Sequence, residues 1–205
     1  SYINMYESSF DKVYLKRAKK LSNKLLKRSN NQYCGMCWGY PFDWKSGKYT
    51  FKKNTPSIVV TVTVAKVFVK LYQLTKKKKY LRVCKSIMNF ILKDLNRTKK
   101  DYTICFSYTP HDTYQIHNAN LMAAECLSEL GIILNKKKLL KLAKRATYFT
   151  INQQNSDGSI YYYGKDSSEI APTHLDIYHS GFEIRSLIKL YENIQEKRIK
   201  KAFLK

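Results

Sequence analysis

Two histidines, His117 and His179, stand 62 residues apart, and each follows an aspartate at short range, Asp112 and Asp176. An imidazole beside a carboxylate is a unit for moving protons. The carboxylate fixes the tautomer, and the other ring nitrogen exchanges a proton near neutral pH. Tyr108, just ahead of Asp112, adds a phenol as a further donor. These five residues are the catalytic candidates. Asp43, Asn118, Asn120, His174 and Glu183 are polar candidates for holding a substrate, and Trp38, Tyr40, Trp44 and Tyr162 offer aromatic faces that stack on sugar rings. An architectural reading stands beside each: a repeated histidine can cap a helix or bond a loop carbonyl, and loop aromatics can fill space between segments.

The residue types separate the reactions they could support. Glycoside hydrolysis needs two opposed carboxylates about 5 to 9.5 Å apart. Asp43, Asp112, Asp157, Asp176 and Glu183 supply candidates, but no spacing selects a pair. Epimerisation or β-elimination at a uronate needs a base, a proton donor, often Tyr or His, and a cation beside the carboxylate; the chain supplies all three, so a uronate reaction is preferred. Cys34-Gly-Met-Cys37 has no second ligand pair, so neither a metal nor a cofactor is expected. P-loop, GxGxxG, G-x-S-x-G and HExxH motifs are absent, and so are the aspartate clusters of terpene chemistry.

A repeat positions these residues. Apolar segments begin at Thr55, His117 and His179, at 62-residue intervals, and run to Leu74, Leu130 and Tyr191. Between them lie amphipathic segments with helical spacing, Val13 to Leu26, Tyr80 to Leu95 and Leu139 to Ile151. The chain therefore reads as all-α, with inner helices apolar on most faces and outer helices bearing a Lys-rich stripe. The units fall near 10–75, 76–131 and 132–194 of one domain, and residues 195–205 open a further helix. Thr55 before Pro56, Asn118 and Ser180 are the expected caps. The Val-rich run Ile58 to Val64 has strand propensity, yet Ala65 to Leu74 continues it with helical spacing. Short turns follow the inner helices and long loops precede them, Gln32 to Asn54, Asp101 to Ile116 and Asn155 to Tyr178, so the loops should share one functional face. Three hairpins leave flanks unburied, which predicts a fragment completed by further hairpins or by a second copy in a homodimer.

With 38 basic against 15 acidic residues, the net charge of +23 draws polyanions but does not choose among them. Nucleic acid is disfavoured because no recognition motif accompanies the charge. No apolar run approaches the ~18 residues of a spanning helix and the start lacks a leader, so no membrane insertion is expected. Five cysteines at irregular spacing suit a reducing compartment, the cytoplasm.

Alternating inner and outer helices with aromatic loops on one face resemble the (α/α) toroid of six-hairpin glycosidases, polysaccharide lyases and glucuronyl C5-epimerases. The strings Trp38-Gly-Tyr-Pro-Phe-Asp-Trp44, Asn54-Thr-Pro-Ser-Ile-Val-Val-Thr61, Ser107-Tyr-Thr-Pro110, His117-Asn-Ala-Asn120 and Asp176-Ile-Tyr-His-Ser-Gly-Phe182 resemble a family of largely uncharacterised bacterial proteins from polysaccharide biosynthesis loci. Some of that family are labelled δ-aminolevulinic acid dehydratase, a label that implies a TIM barrel and conflicts with the helical repeat. The resemblance implies a partial toroid of about three hairpins that binds, and modifies, an acidic polysaccharide or oligosaccharide during surface-polymer synthesis. A non-catalytic helical-repeat scaffold for a protein or polyanion partner is the alternative.

Overall fold

Helical spacing accounts for most of the chain, and the departures from it lie where short loop segments pair with one another. The structure, a computed structural model, describes residues 1–46, 49–167 and 174–205, with the side chains of Ser46 and Tyr49 left aside. The chain divides into two units, Ser1–Phe90 and Ile91–Lys205, and the helix Lys78–Lys93 runs from the first into the second. The all-α expectation holds, with short strands confined to hairpins.

The first unit begins with α1 (Tyr2–Ser9) and α2 (Lys12–Lys27). Asp11 caps α2 by accepting from Val13 N at 2.8 Å. A short hairpin of β1 (Trp44–Ser46) and β2 (Tyr49–Phe51) then precedes α3 (Ile58–Thr75) and α4 (Lys78–Lys93). The Val-rich run is helix, not strand. It starts later than Thr55 and Pro56 suggested, because the segment 54–57 is paired with 38–40 through a bridge between Gly39 and Pro56. Asn54 N donates to Tyr40 O at 2.7 Å, and Ser57 N donates to Trp38 O at 3.0 Å. Ser57 is the cap, its hydroxyl accepting from Val60 N at 3.3 Å. Gly39 makes this pairing possible, since a Cβ there would lie 2.0 Å from Thr55 O. By length and composition α3 could cross a membrane, at mean hydropathy 1.5 over 18 residues, so the expectation that no apolar run reaches that length is corrected. Eight of its side chains are buried, and Phe68 packs on the rings of Trp38 and Tyr80.

In the second unit β3 (Arg97–Lys100) and β4 (Thr103–Phe106) form an antiparallel hairpin, followed by α5 (His117–Ile133), α6 (Lys137–Ile151), α7 (Ile177–Ile194) and α8 (Lys197–Phe203). Helix α5 packs against both α6 and α7, and fourteen of its residues are buried. Its polar side chains therefore need partners inside the fold. Asn120 finds two: its Oδ1 accepts from Phe106 N at 3.1 Å, and its Nδ2 donates to Ala146 O at 2.8 Å. One amide thus fastens β4 and α6 to α5, and the expectation that Asn120 contacts substrate is corrected. Helix α7 keeps an apolar stripe in solvent, with Ile177 93% exposed and Ile184 and Ile188 following at helical spacing.

Asn120→Ala would leave the Phe106 N–H buried without its partner and take from the Ala146 carbonyl the bond it accepts beside its helical one, at a cost of about 1–3 kcal/mol. The expected outcome is a lower urea midpoint at unchanged m value. An unchanged midpoint would show that these two bonds do not hold the unit together.

Candidate functional site

In the second unit the long loops before α5 and α7 run side by side. Gly164 N donates to Gln115 O at 2.7 Å, His117 N to Tyr162 O at 3.1 Å, and Tyr162 N to His174 O at 2.8 Å. Residues 162–164 are thus sandwiched between the lead-in to α5 and the lead-in to α7, which brings Tyr162 and His174 to the start of α7.

Asp176 caps that helix, Oδ1 accepting from Tyr178 N at 2.8 Å and His179 N at 3.4 Å. The same aspartate, not Ser180, is the cap, and the N-cap position of α5 is Ile116, not Asn118. Asp176 Oδ2 also lies 2.5 Å from His179 Nδ1. Asp176, His179, Glu183 and Ser186 fall at i, i+3, i+7 and i+10, on one face of α7. The stripe grows drier along its length: Asp176 and His179 are partly exposed, Glu183 is 3% exposed, and Ser186 is fully buried.

The stripe meets a matching one on α5. Ser186 Oγ donates to Glu125 Oε2 at 2.8 Å, and Asn193 Nδ2 donates to Ser128 Oγ at 2.8 Å. These bonds set α5 and α7 parallel and in register. Two turns before Glu125, on the same face of α5, stands Asn118. Asn118 Oδ1 is buried with no hydrogen-bond partner, an acceptor available to a ligand hydroxyl. The aromatic wall is Tyr162, whose ring centroid lies 4.6 Å from that of His179, with Tyr178 at 5.3 Å and Phe182 at 6.5 Å.

Electrostatics divides the two carboxylates of the stripe. The hydrogen bond from His179, helped by the backbone N–H groups of Tyr178 and His179, holds the Asp176 pKa below its ordinary value. Burial, reinforced by the negative charge of Asp176, pushes Glu183 up to about 8. At neutral pH one carboxylate is ionised and the other carries a proton.

The remaining candidates have other places. His117 is the first residue of α5 and 1% exposed, with Nδ1 3.1 Å from Thr150 Oγ1 and its ring near Phe149. Burial lowers its pKa to about 4, so it is neutral in the folded protein at physiological pH. His117 and His179 are therefore not equivalent, standing at the first and third helical positions. Asp112 staples its own loop, accepting from Tyr108 N, Thr109 N, Thr109 Oγ1 and Tyr114 N. Its pKa is nonetheless raised, because burial outweighs those bonds. Its hydrogen bonds are spent on the loop's own backbone and on the Thr109 hydroxyl, and Tyr108 is buried with that loop. In the first unit Trp38 is 4% exposed, stacks on Phe68 and donates Nε1–H to Leu25 O at 2.9 Å, so its face is spent in the core and not open to a sugar. Tyr40 and Trp44 belong to a ladder of rings with Phe42 and Phe51, at centroid spacings of 5.2 to 5.5 Å. Asp43 accepts from Lys53 N at 2.8 Å and pairs with Lys52, which keeps its pKa low. Among the described residues, no three His, Cys, Asp or Glu side chains are grouped to hold a metal ion. The sequence reasoning missed the seam of Glu125, Ser128, Ser186 and Asn193, and the rings of Tyr178 and Phe182. The available signal was the placement of Glu125 and Glu183 among the apolar residues of two inner helices, where a carboxylate must find a partner or keep its proton.

No family model and no curated protein matches the chain. Solved structures do. An α-1,6-mannanase from Salegentibacter sp. superposes with TM-score 0.74 at 17% identity, over 100% of this chain and 55% of its own. An inactive variant of that mannanase, changed at two consecutive aspartates, was solved with α-1,6-mannotetrose. An unsaturated glucuronyl hydrolase of glycosaminoglycan degradation, from Bacillus sp. GL1, gives 0.72 at 14% identity, over 100% of this chain and 57% of its own. A cellobiose 2-epimerase from Bacillus thermoamylovorans gives 0.68 at 12% identity, over 92% and 54%. At these identities the likeness is one of fold: the chain is an (α/α) toroid fragment and spans about half the length of the structures it matches.

Proposed function

We propose that the protein is a carbohydrate-active domain that binds an acidic, uronate-containing saccharide over the start of α7 and transfers protons at its sugar ring, in cytoplasmic steps of surface-polysaccharide synthesis. The observation that carries this reading is the single helical face bearing Asp176, His179 and Glu183, with the two carboxylates pushed to opposite protonation states. Titratable neighbours whose environments drive their pKa values apart are the usual mark of an acid and base pair. The fold shared with saccharide-processing enzymes supports the substrate class, and five cysteines at irregular spacing suit a reducing compartment.

The roles follow from the geometry. Asp176 Oδ2 accepts Nδ1–H, which leaves the Nε2 lone pair of His179 to act as the base. Glu183, protonated below about 8, is the proton donor one turn further along. The eighteen-residue helix presents its positive end at Asp176, and the basic excess of the chain favours a carboxylated sugar over a neutral one. Tyr162 supplies a ring for stacking, and Asn118 Oδ1 an acceptor for a sugar hydroxyl. Removal and return of the proton beside the uronate carboxylate gives epimerisation. Removal followed by loss of the glycosidic oxygen gives elimination. The chain has no pair of consecutive aspartates, so the change that defines the inactive mannanase variant has no counterpart within this span.

Incubation with a glucuronate polymer in deuterium oxide tests the reading. Deuterium at C5, or an unsaturated product absorbing in the ultraviolet, is expected from the wild type, with a loss of about 10²- to 10⁴-fold in His179→Ala at unchanged folding. Polymer binding that is indifferent to His179→Ala and falls only with salt would instead identify a non-catalytic polyanion scaffold.

Glu183 also leaves a trace in stability. The folded chain keeps a proton that the unfolded chain releases above its ordinary pKa of 4.5. This contribution is present at low pH and declines by about 1.4 kcal/mol per pH unit between roughly 4.5 and 8. Glu183→Gln should flatten that decline in a pH series of urea midpoints. Parallel wild-type and variant curves would show that Glu183 is ionised in the fold.

A further inference from the structure

We propose that the first unit carries a separate binding subsite for an acidic sugar residue, in the pocket between the C-terminal end of α2 and the segment leading into α3. The pocket holds about 640 Å³ and is lined by polar side chains and Pro41, inside the ~300–1,000 Å³ range of small-molecule sites. Two cations face it, Arg28 and Lys53, and no carboxylate is among its lining residues. The nearby carboxylate, Asp43, is committed to Lys52 Nζ and to the Lys53 backbone N–H, while the Lys53 ammonium makes no hydrogen bond or ion pair among the described residues. The Arg28 guanidinium likewise makes none, and it offers the planar fork that suits a carboxylate.

The other lining groups narrow the ligand. Asn31, Gln32 and Asn54 each carry an amide, which is both a donor and an acceptor. Inorganic phosphate is held chiefly by donors and presents no row of hydroxyls to the amide acceptors. A sugar acid uses both, its carboxylate taking the cations and its hydroxyls pairing with the amides. The C-terminal end of α2 disfavours an anion, but that dipole is short in reach, and Arg28 sits at the cap itself. The frame is already set. Asn30 Oδ1 accepts from Gln32 N at 2.9 Å, Asn54 N donates to Tyr40 O, and Asn54 holds the left-handed conformation at φ 64. Little ordering therefore remains to be done on binding.

Isothermal titration of the 205-residue chain with trigalacturonate, with the neutral galactose trisaccharide and with inorganic phosphate, at physiological salt, tests the proposal. Trigalacturonate should bind, the neutral sugar should not, and phosphate should fail to displace the acid. Arg28→Ala and Lys53→Ala should each weaken binding about tenfold, the size of one lost charge-assisted hydrogen bond, and Asn54→Gly about fivefold, the size of a neutral one. All three positions are exposed, and glycine keeps the backbone of residue 54, so folding should survive. Lys137→Ala, a surface charge on α6, serves as the control and should leave affinity unchanged. His179→Ala separates this pocket from the site on α7, and affinity here should not follow it. Equal binding of the acidic and neutral sugars, displacement by phosphate at matched concentration, or wild-type affinity in all three pocket variants would each overturn the subsite.

Discussion

Helix α5 is buried along nearly its whole length, yet it carries polar groups, and each must be satisfied by a neighbour because water cannot reach it. That constraint orders the second unit. Asn120 holds β4 and α6, Glu125 takes the hydroxyl of Ser186, and Ser128 takes the amide of Asn193. The last two bonds fix α7 against α5 in one register. A slip of a helical turn would leave Glu125 without Ser186, and losing a partner from a buried acidic group is expensive. At the loop end of the same seam the pairing runs out: Asn118 Oδ1 has no partner, and Glu183 keeps its proton instead of finding a cation. The candidate site is the unfinished end of a structural seam.

The aspartates show how differently the two acidic residue types are used. Asp11, Asp43, Asp112, Asp157 and Asp176 each accept from a backbone N–H within a cap, turn or loop. The short aspartate side chain reaches the backbone a few residues away, which makes it a loop fastener in this protein. Glu125 and Glu183 have longer stems and sit on inner helices, facing other helices. The two uses meet at the start of α7, where the capping aspartate also grips a histidine one turn before a buried glutamate.

Much of this was legible in the sequence. The apolar period gave the helices of both layers, and Asp176, His179, Glu183, Tyr162 and His174 were all among the candidate residues. Spacing could not separate His117 from His179. Both follow loop segments and precede apolar helices, but one enters its helix facing inward to Thr150 and the other faces Tyr162. Nor could composition tell that Asn120 and Trp38 are consumed by the core, because a polar group satisfied inside a fold and one turned to a ligand look alike in a single chain. The two hairpins were missed because their strands have three or four residues, too few for alternation to register. The start of α3 was misjudged for a different reason: the pairing of residues 54–57 with 38–40 joins positions far apart in sequence.

The exposed stripe of α7 has a colloidal consequence. Ile177, Ile184 and Ile188 offer an adhesive strip to any neighbour in solution, while a charge of +23 pushes copies of the chain apart. The balance between them is set by the medium and not by the fold. At low ionic strength the repulsion reaches tens of ångströms, but near physiological salt it decays within about 8 Å, a distance short enough for two such strips to meet.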